Sequence, residues 1–242
     1  MVTLQLPRWF VVLLAACIAT VLSSCGTVPP VPLTSWPDGV NLLVDGSFED
    51  GTGPDGPFKP NPQGVMVLQS GGTLPGWTVA VNTGQNMAWI QNANSYIPNG
   101  ASDGTHFLDL TGLADKAVNG NFGVIRQSFA TIPRTRYWAA VDIGVKNPEY
   151  PGPIQVRIAV SATNSNLVEY AQVTCPYNPT APGIQWMLMP PCNMEFTANS
   201  DSTLISIYGE QGTHYIGIDN VTVQCIAPLG RHAWCGGGAP PL

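Results

Sequence analysis

After residue 40 the chain never sustains an apolar period of 3.6 residues. Short β-branched and aromatic runs recur instead, divided by Gly, Pro and Asn, with 26 glycines and 23 prolines in 242 residues. Such breakers forbid long helices and punctuate strands. The predicted strands are Val65–Leu68, Trp77–Val81, Met87–Gln91, His106–Leu110, Gly123–Phe129, Arg136–Val145, Ile154–Thr163, Leu167–Val173, Asn193–Ala198, Thr203–Tyr208 and Tyr215–Gln224. The clearest is "IQVRIAVSA", where Ile154, Val156, Ile158 and Val160 alternate with Gln155, Arg157, Ala159 and Ser161. Period-two alternation with one polar face marks a half-buried antiparallel strand. Many such strands separated by turns predict an all-β fold, a β-sandwich or jelly roll of antiparallel sheets.

The first 24 residues stand apart. Arg8 precedes an apolar run, Trp9–Leu22, shorter than the roughly 20 residues of a membrane-spanning helix and typical of an export signal. The run closes on "LSSCG", which resembles the lipobox of bacterial lipoproteins with Cys25 as the lipidated residue. That resemblance implies an acylated, membrane-anchored Cys25 in the cell envelope, favouring the outer membrane; ordinary cleavage and secretion without lipid is the alternative. Residues 25–40 carry four prolines in "GTVPPVPLTSWPDGV" and read as a semi-rigid tether. Residues 41–225 form the predicted domain, and 226–242 a Gly- and Pro-rich tail.

Charge narrows the function classes. The formal net charge is −6, and no basic run exists, which argues against nucleic-acid binding. Charged residues make up 10% of the chain against roughly 25% in typical soluble domains, so Asn, Gln, Ser, Thr and Gly must build the polar surface. Of six cysteines, Cys17 lies in the export signal and Cys25 at the lipobox. The other four, Cys175, Cys192, Cys225 and Cys235, predict disulfides in an exported chain. Three pairings exist; Cys175–Cys192 and Cys225–Cys235 are favoured because each closes a short segment rich in Pro or Gly.

Two acidic features need explaining. In "NLLVDGSFEDG" the run Leu42–Val44, read as the first strand, is followed by Asp45, Glu49 and Asp50, three of 15 acidic residues. In "YIGIDNVTVQ" Asp219 shares its side of a regular strand with Val221 and Val223, while Ile216 and Ile218 occupy the other. Either both faces are buried or a bulge near Asn220 shifts the register. A carboxylate among apolar neighbours needs a partner, a proton or a metal, and no lysine is near in sequence.

"NLLVDGSFEDG", "LPGWTV", "DGTHFLDL", "GVIRQSF" and "YIGIDNVTV", in that order, resemble galactose-binding-like jelly-roll domains. They are most similar to the domain of unknown function 642 and to related carbohydrate-binding modules, over roughly Asn41–Gln224. The resemblance implies a structural calcium ion joining Glu49 to Asp219, with backbone carbonyls completing the shell, which suits the oxygen-only chemistry of that ion. It implies sugar binding as well. Asp45 and Asp50 read as turn residues. The stretches Gly51–Gly72 and Val173–Met194 depart from the family pattern.

Sugar binding needs aromatic platforms and planar polar groups. Trp77, Trp89, Tyr96, Tyr150, Trp186 and Tyr208 are the candidate rings, most of them expected in the core. Trp89 and Tyr96 flank the polar run "QNAN", and Tyr150 lies in "NPEYPGP", so these three are the predicted ligand contacts, with Arg126 and Gln127 on the same face. Catalytic signatures are lacking: no Gly-x-Ser-x-Gly, His-Glu-x-x-His or phosphate-cradling loop occurs, and His106, His214 and His232 are far apart. A glycosidase needs two carboxylates about one bond; Asp109 with Glu169 or Glu210 is the candidate pairing, and nothing in the sequence brings them together. The expectation is a non-enzymatic, polysaccharide-binding envelope lipoprotein. A surface adhesin making protein contacts without sugar is the alternative.

Overall fold

The computed structural model describes residues 39–51, 59–80, 86–112, 122–163, 166–212 and 215–226. The export segment, Cys25 and Cys235 lie outside them. The described strands are β1 (Val65–Leu68), β2 (Thr73–Leu74), β3 (Trp77–Ala80), β4 (Met87–Gln91), β5 (His106–Asp109) and β6 (Val124–Ala130). They continue with β7 (Arg136–Asn147), β8 (Ile154–Ala162), β9 (Glu169–Tyr177), β10 (Gly183–Thr197), β11 (Ser202–Gln211) and β12 (Gly217–Cys225). They form two six-stranded antiparallel sheets, β1-β4-β5-β12-β7-β10 and β2-β3-β6-β11-β8-β9. We call them the first and second sheet. The predicted β-sandwich is the observed fold, and its core lies between the sheets around Trp77, Trp89, Ile125, Val141, Ile207 and Val221.

The strand pattern "IQVRIAVSA" behaves as its alternation requires: Ile154, Val156, Ile158 and Val160 enter the core, and Gln155 and Arg157 are half-buried on the outer face. Strand β10 departs from expectation. It runs through Pro190 and Pro191, and its register against β7 shifts between Met187 and Cys192. Proline cannot donate to a ladder, so its place in a sheet is a bulge or an edge, and β10 supplies both.

Leu42–Val44 is not a strand. Positive φ angles at Asp45 (49°) and Phe48 (60°) curl the chain into a turn. It runs beside β12 through Leu42 N–H to the Val223 carbonyl (2.8 Å) and through the Asn41 amide, which bonds Val221 O and Val223 N. Gln127 completes this attachment. Its side-chain amide accepts from Val44 N (2.6 Å) and donates to Val44 O (2.9 Å), copying a backbone pairing.

The expected bulge in the last strand is present. The β12 register against β7 jumps between Asp219 and Thr222, and Asn220 sits at φ 48°. The extra residue lets Ile218, Val221 and Val223 all reach the core, and Asp219 is left opposite Asp142 on the outer side of the first sheet. Cys175 and Cys192 form the expected disulfide, with Cα atoms 5.7 Å apart. Cys225 is also disulfide-bonded.

Candidate functional site

The outer face of the first sheet carries its own apolar cluster, separate from the main core: Val65, Ala88, Ile90, Ile97, Phe107 and Tyr215. Strand β4 is therefore buried on both sides, Met87 and Trp89 inward, Ala88 and Ile90 outward. The loop from Asn92 to Gly100 covers part of this cluster. Asn94 holds that loop in shape, since its side chain donates to Gln91 O and Ile97 O and accepts from Tyr96 N and Ile97 N. Trp186 on β10 donates to Gly100 O (2.9 Å) and fixes the loop from the other side.

A hollow of about 360 Å³ opens beside this loop, within the size range of small-ligand sites. Asn61, Gln63, Val65, Ile90, Tyr96 and Tyr150 are among its lining residues. Tyr96 stands 51% exposed, and the Tyr150 ring leans on Tyr215 at 6.4 Å between centroids. Lys146 joins the two tyrosine segments: its ammonium donates to Tyr96 O (2.9 Å) and lies 5.9 Å from the Tyr150 ring centre. Tyr215, also in the lining, is almost wholly buried, yet its hydroxyl has no hydrogen-bond partner among the described residues. Burial, with Asp109 and Asp219 nearby, pushes that hydroxyl well above the ordinary tyrosine range. It is a neutral donor with an unmet bond.

The five predicted ligand residues do not share one face. Tyr96 and Tyr150 come together at the hollow. Trp89 is 2% exposed and points into the core, where its indole N–H donates to Phe48 O (3.1 Å). Gln127 also faces inward, while Arg126, its neighbour in β6, lies on the outer face of the second sheet. Adjacent strand residues point to opposite sides, so Arg126 and Gln127 cannot serve a common ligand. Trp77 is a core residue whose indole N–H bonds Asp45 O. The carboxylates considered for hydrolysis are likewise separated: Asp109 is on β5 of the first sheet, and Glu169 and Glu210 flank Arg157 on the second.

Glu49 and Asp219 grip opposite ends of one loop. Glu49 accepts from Thr105 N (2.7 Å), His106 N (2.6 Å) and the Thr105 hydroxyl (2.8 Å). Burial works to raise its pKa, but these bonds outweigh it and hold the carboxyl below the ordinary range. Gly104, at φ +61°, lies against the Glu49 carboxyl so closely that a Cβ there would come within 2.5 Å. Asp219, fully buried, accepts from Ser102 N (2.8 Å), Asp103 N (2.9 Å) and Asn220 N (2.7 Å). Backbone N–H groups are thus its partners. The Ser102 hydroxyl bridges Asp219 (3.1 Å) and Asp142 (3.0 Å). Burial pushes Asp142 up to about 6 and Asp219 up to about 7.

Asp142 and Asp219 present hard oxygens from two adjacent buried carboxylates, with no Lys or Arg paired with either among the described residues, the donor type that calcium takes. No three His, Cys, Asp or Glu side chains converge among the described residues, so an ion would need carbonyl and hydroxyl oxygens too. Asp45 and Asp50 belong to the turn, with Asp50 N–H donating to the Asp45 carboxylate (3.0 Å). Sequence reasoning missed Asp142 and Tyr215. Asp142 carried a signal, because "AVDIGV" sets a lone carboxylate inside an apolar run as Asp219 is set.

No protein-family model and no curated protein matches the chain. Solved structures do. The Stig cyclase Fisc from Fischerella sp. TAU, in complex with an indole compound, is similar at a TM-score of 0.52 and 17% identity. That match covers 78% of this chain and 98% of the cyclase. TmCBM61 in complex with β-1,4-galactotriose has a TM-score of 0.47 and 15% identity, covering 78% of this chain and 100% of that one. A family 16 carbohydrate-binding module has a TM-score of 0.39 and 19% identity, covering 76% and 99%. At these identities the likeness concerns the sandwich fold and carries no site residue across.

Proposed function

We propose that the domain is a non-catalytic carbohydrate-binding module whose site is the hollow on the first sheet. The observation that carries this reading is the hollow that brings the Tyr96 and Tyr150 rings together beside the buried Tyr215. Tyrosine faces suit the apolar side of a sugar ring. The separation of Asp109 from Glu169 and Glu210 supports a binding role over glycoside hydrolysis. The module would be exported and held at the cell envelope through lipid on Cys25, taking an envelope or extracellular polysaccharide. Loss of palmitate labelling in Cys25→Ser checks the anchor.

Affinity electrophoresis through neutral polysaccharides tests the site. Tyr96→Ala and Tyr150→Ala are expected to keep the wild-type circular dichroism, and at least one should lose retardation. Tyr215→Phe, which removes only a buried orphan hydroxyl, should keep retardation while the melting temperature holds or rises. Retardation unchanged in both Tyr96→Ala and Tyr150→Ala would refute the site. A wild type that no glycan retards, yet which captures a protein partner, would favour the adhesin reading. Calcium joining Glu49 to Asp219, with backbone carbonyls completing its shell, is proposed as a structural ion that fastens the loop between them. Its role would be charge neutralisation and loop fixation, not contact with sugar.

A further inference from the structure

Three connections meet at one end of the sandwich: residues 131–135 after β6, the link from β8 to β9, and residues 198–201 before β11. Register brings them together, setting Ala130 beside Ser202 and Thr203 beside Ala162. Hydrogen bonds knit them, from Thr131 N–H to Asp201 O (2.9 Å), Arg134 N–H to Ala198 O (2.7 Å) and Thr163 N–H to Ser202 O (3.3 Å). The chain enters the domain at the same end. Gly39 O accepts from the Gln224 side chain (2.8 Å) at the close of β12, and Ile226 N–H donates to Arg136 O (2.9 Å) at the start of β7.

Large apolar side chains stand in solvent here. Val40, Ile132, Leu167 and Val168 are all exposed, Val168 by 68%. Leu167 holds φ 63°, which glycine or asparagine adopts more easily, so turn geometry does not call for leucine. The exposed charges beside these tips balance, Arg134 and Arg136 against Glu195 and Asp201, in a chain of net charge −6. Projecting apolar tips without net negative charge suit an anionic lipid surface better than any other part of so acidic a protein. The hollow lies at the opposite end. Strand β7 has 12 residues, from Arg136 to Asn147, and Tyr150 pairs with Lys146 at its close; a strand of that length spans about 37 Å.

We propose that this end of the sandwich rests on a lipid bilayer, with Ile132, Leu167 and Val168 entering the interface and the hollow directed away from it. The proposal rests on the reading of Cys25 as lipidated for the presence of the bilayer, and on the apolar tips for which end meets it. From Cys25 to Gly39 the chain can reach at most about 50 Å, so the anchor keeps this end close to the lipid, where apolar side chains supply a second, reversible attachment. The probe is the protein as expressed, reconstituted with vesicles of phosphatidylethanolamine and phosphatidylglycerol, with and without bromine on the acyl chains. Ile132→Trp and Val168→Trp each place a reporter at the tips. Ala181→Trp places one at the hollow end, where Ala181 O receives the Asn147 amide. After subtraction of wild-type emission, both tip reporters are expected to shift to shorter wavelength on vesicles and to lose intensity against brominated lipid, with Ala181→Trp unchanged. No quenching at either tip, or equal quenching at all three positions, would overturn the proposal. Tip emission already shifted without vesicles would place a second copy of the chain there and overturn it as well. Palmitate labelling separates this proposal from the anchor: quenching absent in a labelled protein sinks the lipid-facing end alone, and quenching present in an unlabelled one sinks the anchor alone.

Discussion

Trp89→Ala is expected to destabilise the domain by about 3–5 kcal/mol, the usual cost of removing a large aromatic ring from a packed core. The ring is buried between the sheets and its indole N–H satisfies the Phe48 carbonyl. The substitution therefore leaves both a cavity and an orphan acceptor at the turn that carries Glu49. Denaturant unfolding followed by tryptophan fluorescence and circular dichroism measures the loss, with Tyr96→Ala as the exposed control. A variant of native stability that had lost glycan binding would mean the ring faces ligand after all. The contrast matters because Trp89 and Tyr96 stand seven positions apart around the same polar run, and only burial separates their roles.

Calcium is expected to raise the melting temperature at pH 8 and to do little at pH 5. Asp142 and Asp219 titrate in the folded domain near 6 and 7, above ordinary carboxylate values, because burial disfavours their charge. The folded state therefore binds their protons more tightly than the unfolded chain does. The resulting stabilisation is complete below the unfolded values near 4 and disappears as pH rises through 6 and 7. An ion that binds only the folded, ionised pair restores part of it, about 2.7 kcal/mol at a hundredfold excess over its dissociation constant. Chelation at pH 8 should lower the melting temperature again, and Glu49→Gln and Asp219→Asn should each remove the response. Overlaid melts in EDTA and in millimolar calcium at pH 8 would leave the loop to its hydrogen bonds alone.

Much of the sandwich was legible because alternation in segments such as "IQVRIAVSA" reports directly on two-faced burial. The bulge at Asn220 was legible as one of two ways to reconcile Ile218 with Val221 and Val223, and the register decides between them. The long strand β10 was not legible, since paired prolines read locally as a break and only the edge position and bulge accommodate them. The assignment of Gln127 to a ligand face failed against a rule the sequence already contained: it follows Arg126 directly in a strand. Trp89 had a warning too, because "MAWIQ" lacks the polar alternation of a strand with one open face. The Tyr215 hydroxyl and the Arg126 Nε–H, both without a partner among the described residues, have no such warning. Whether a polar atom lacks a partner is a property of everything around it, contributed by strands distant in sequence.

The bond between Cys175 and Cys192 couples the terminal strands of two different sheets, β9 of the second and β10 of the first. An edge strand left to itself can peel away and offer its unpaired groups to another chain. Here neither can peel without pulling on the other sheet, so opening along this side becomes a cooperative event shared by both. Amide exchange in β9 and β10 then follows global unfolding while the bond is intact, and shifts toward local opening once it is reduced. Protection of these two edges is thereby made conditional on redox environment, held where thiols are oxidised and given up in any compartment that reduces them.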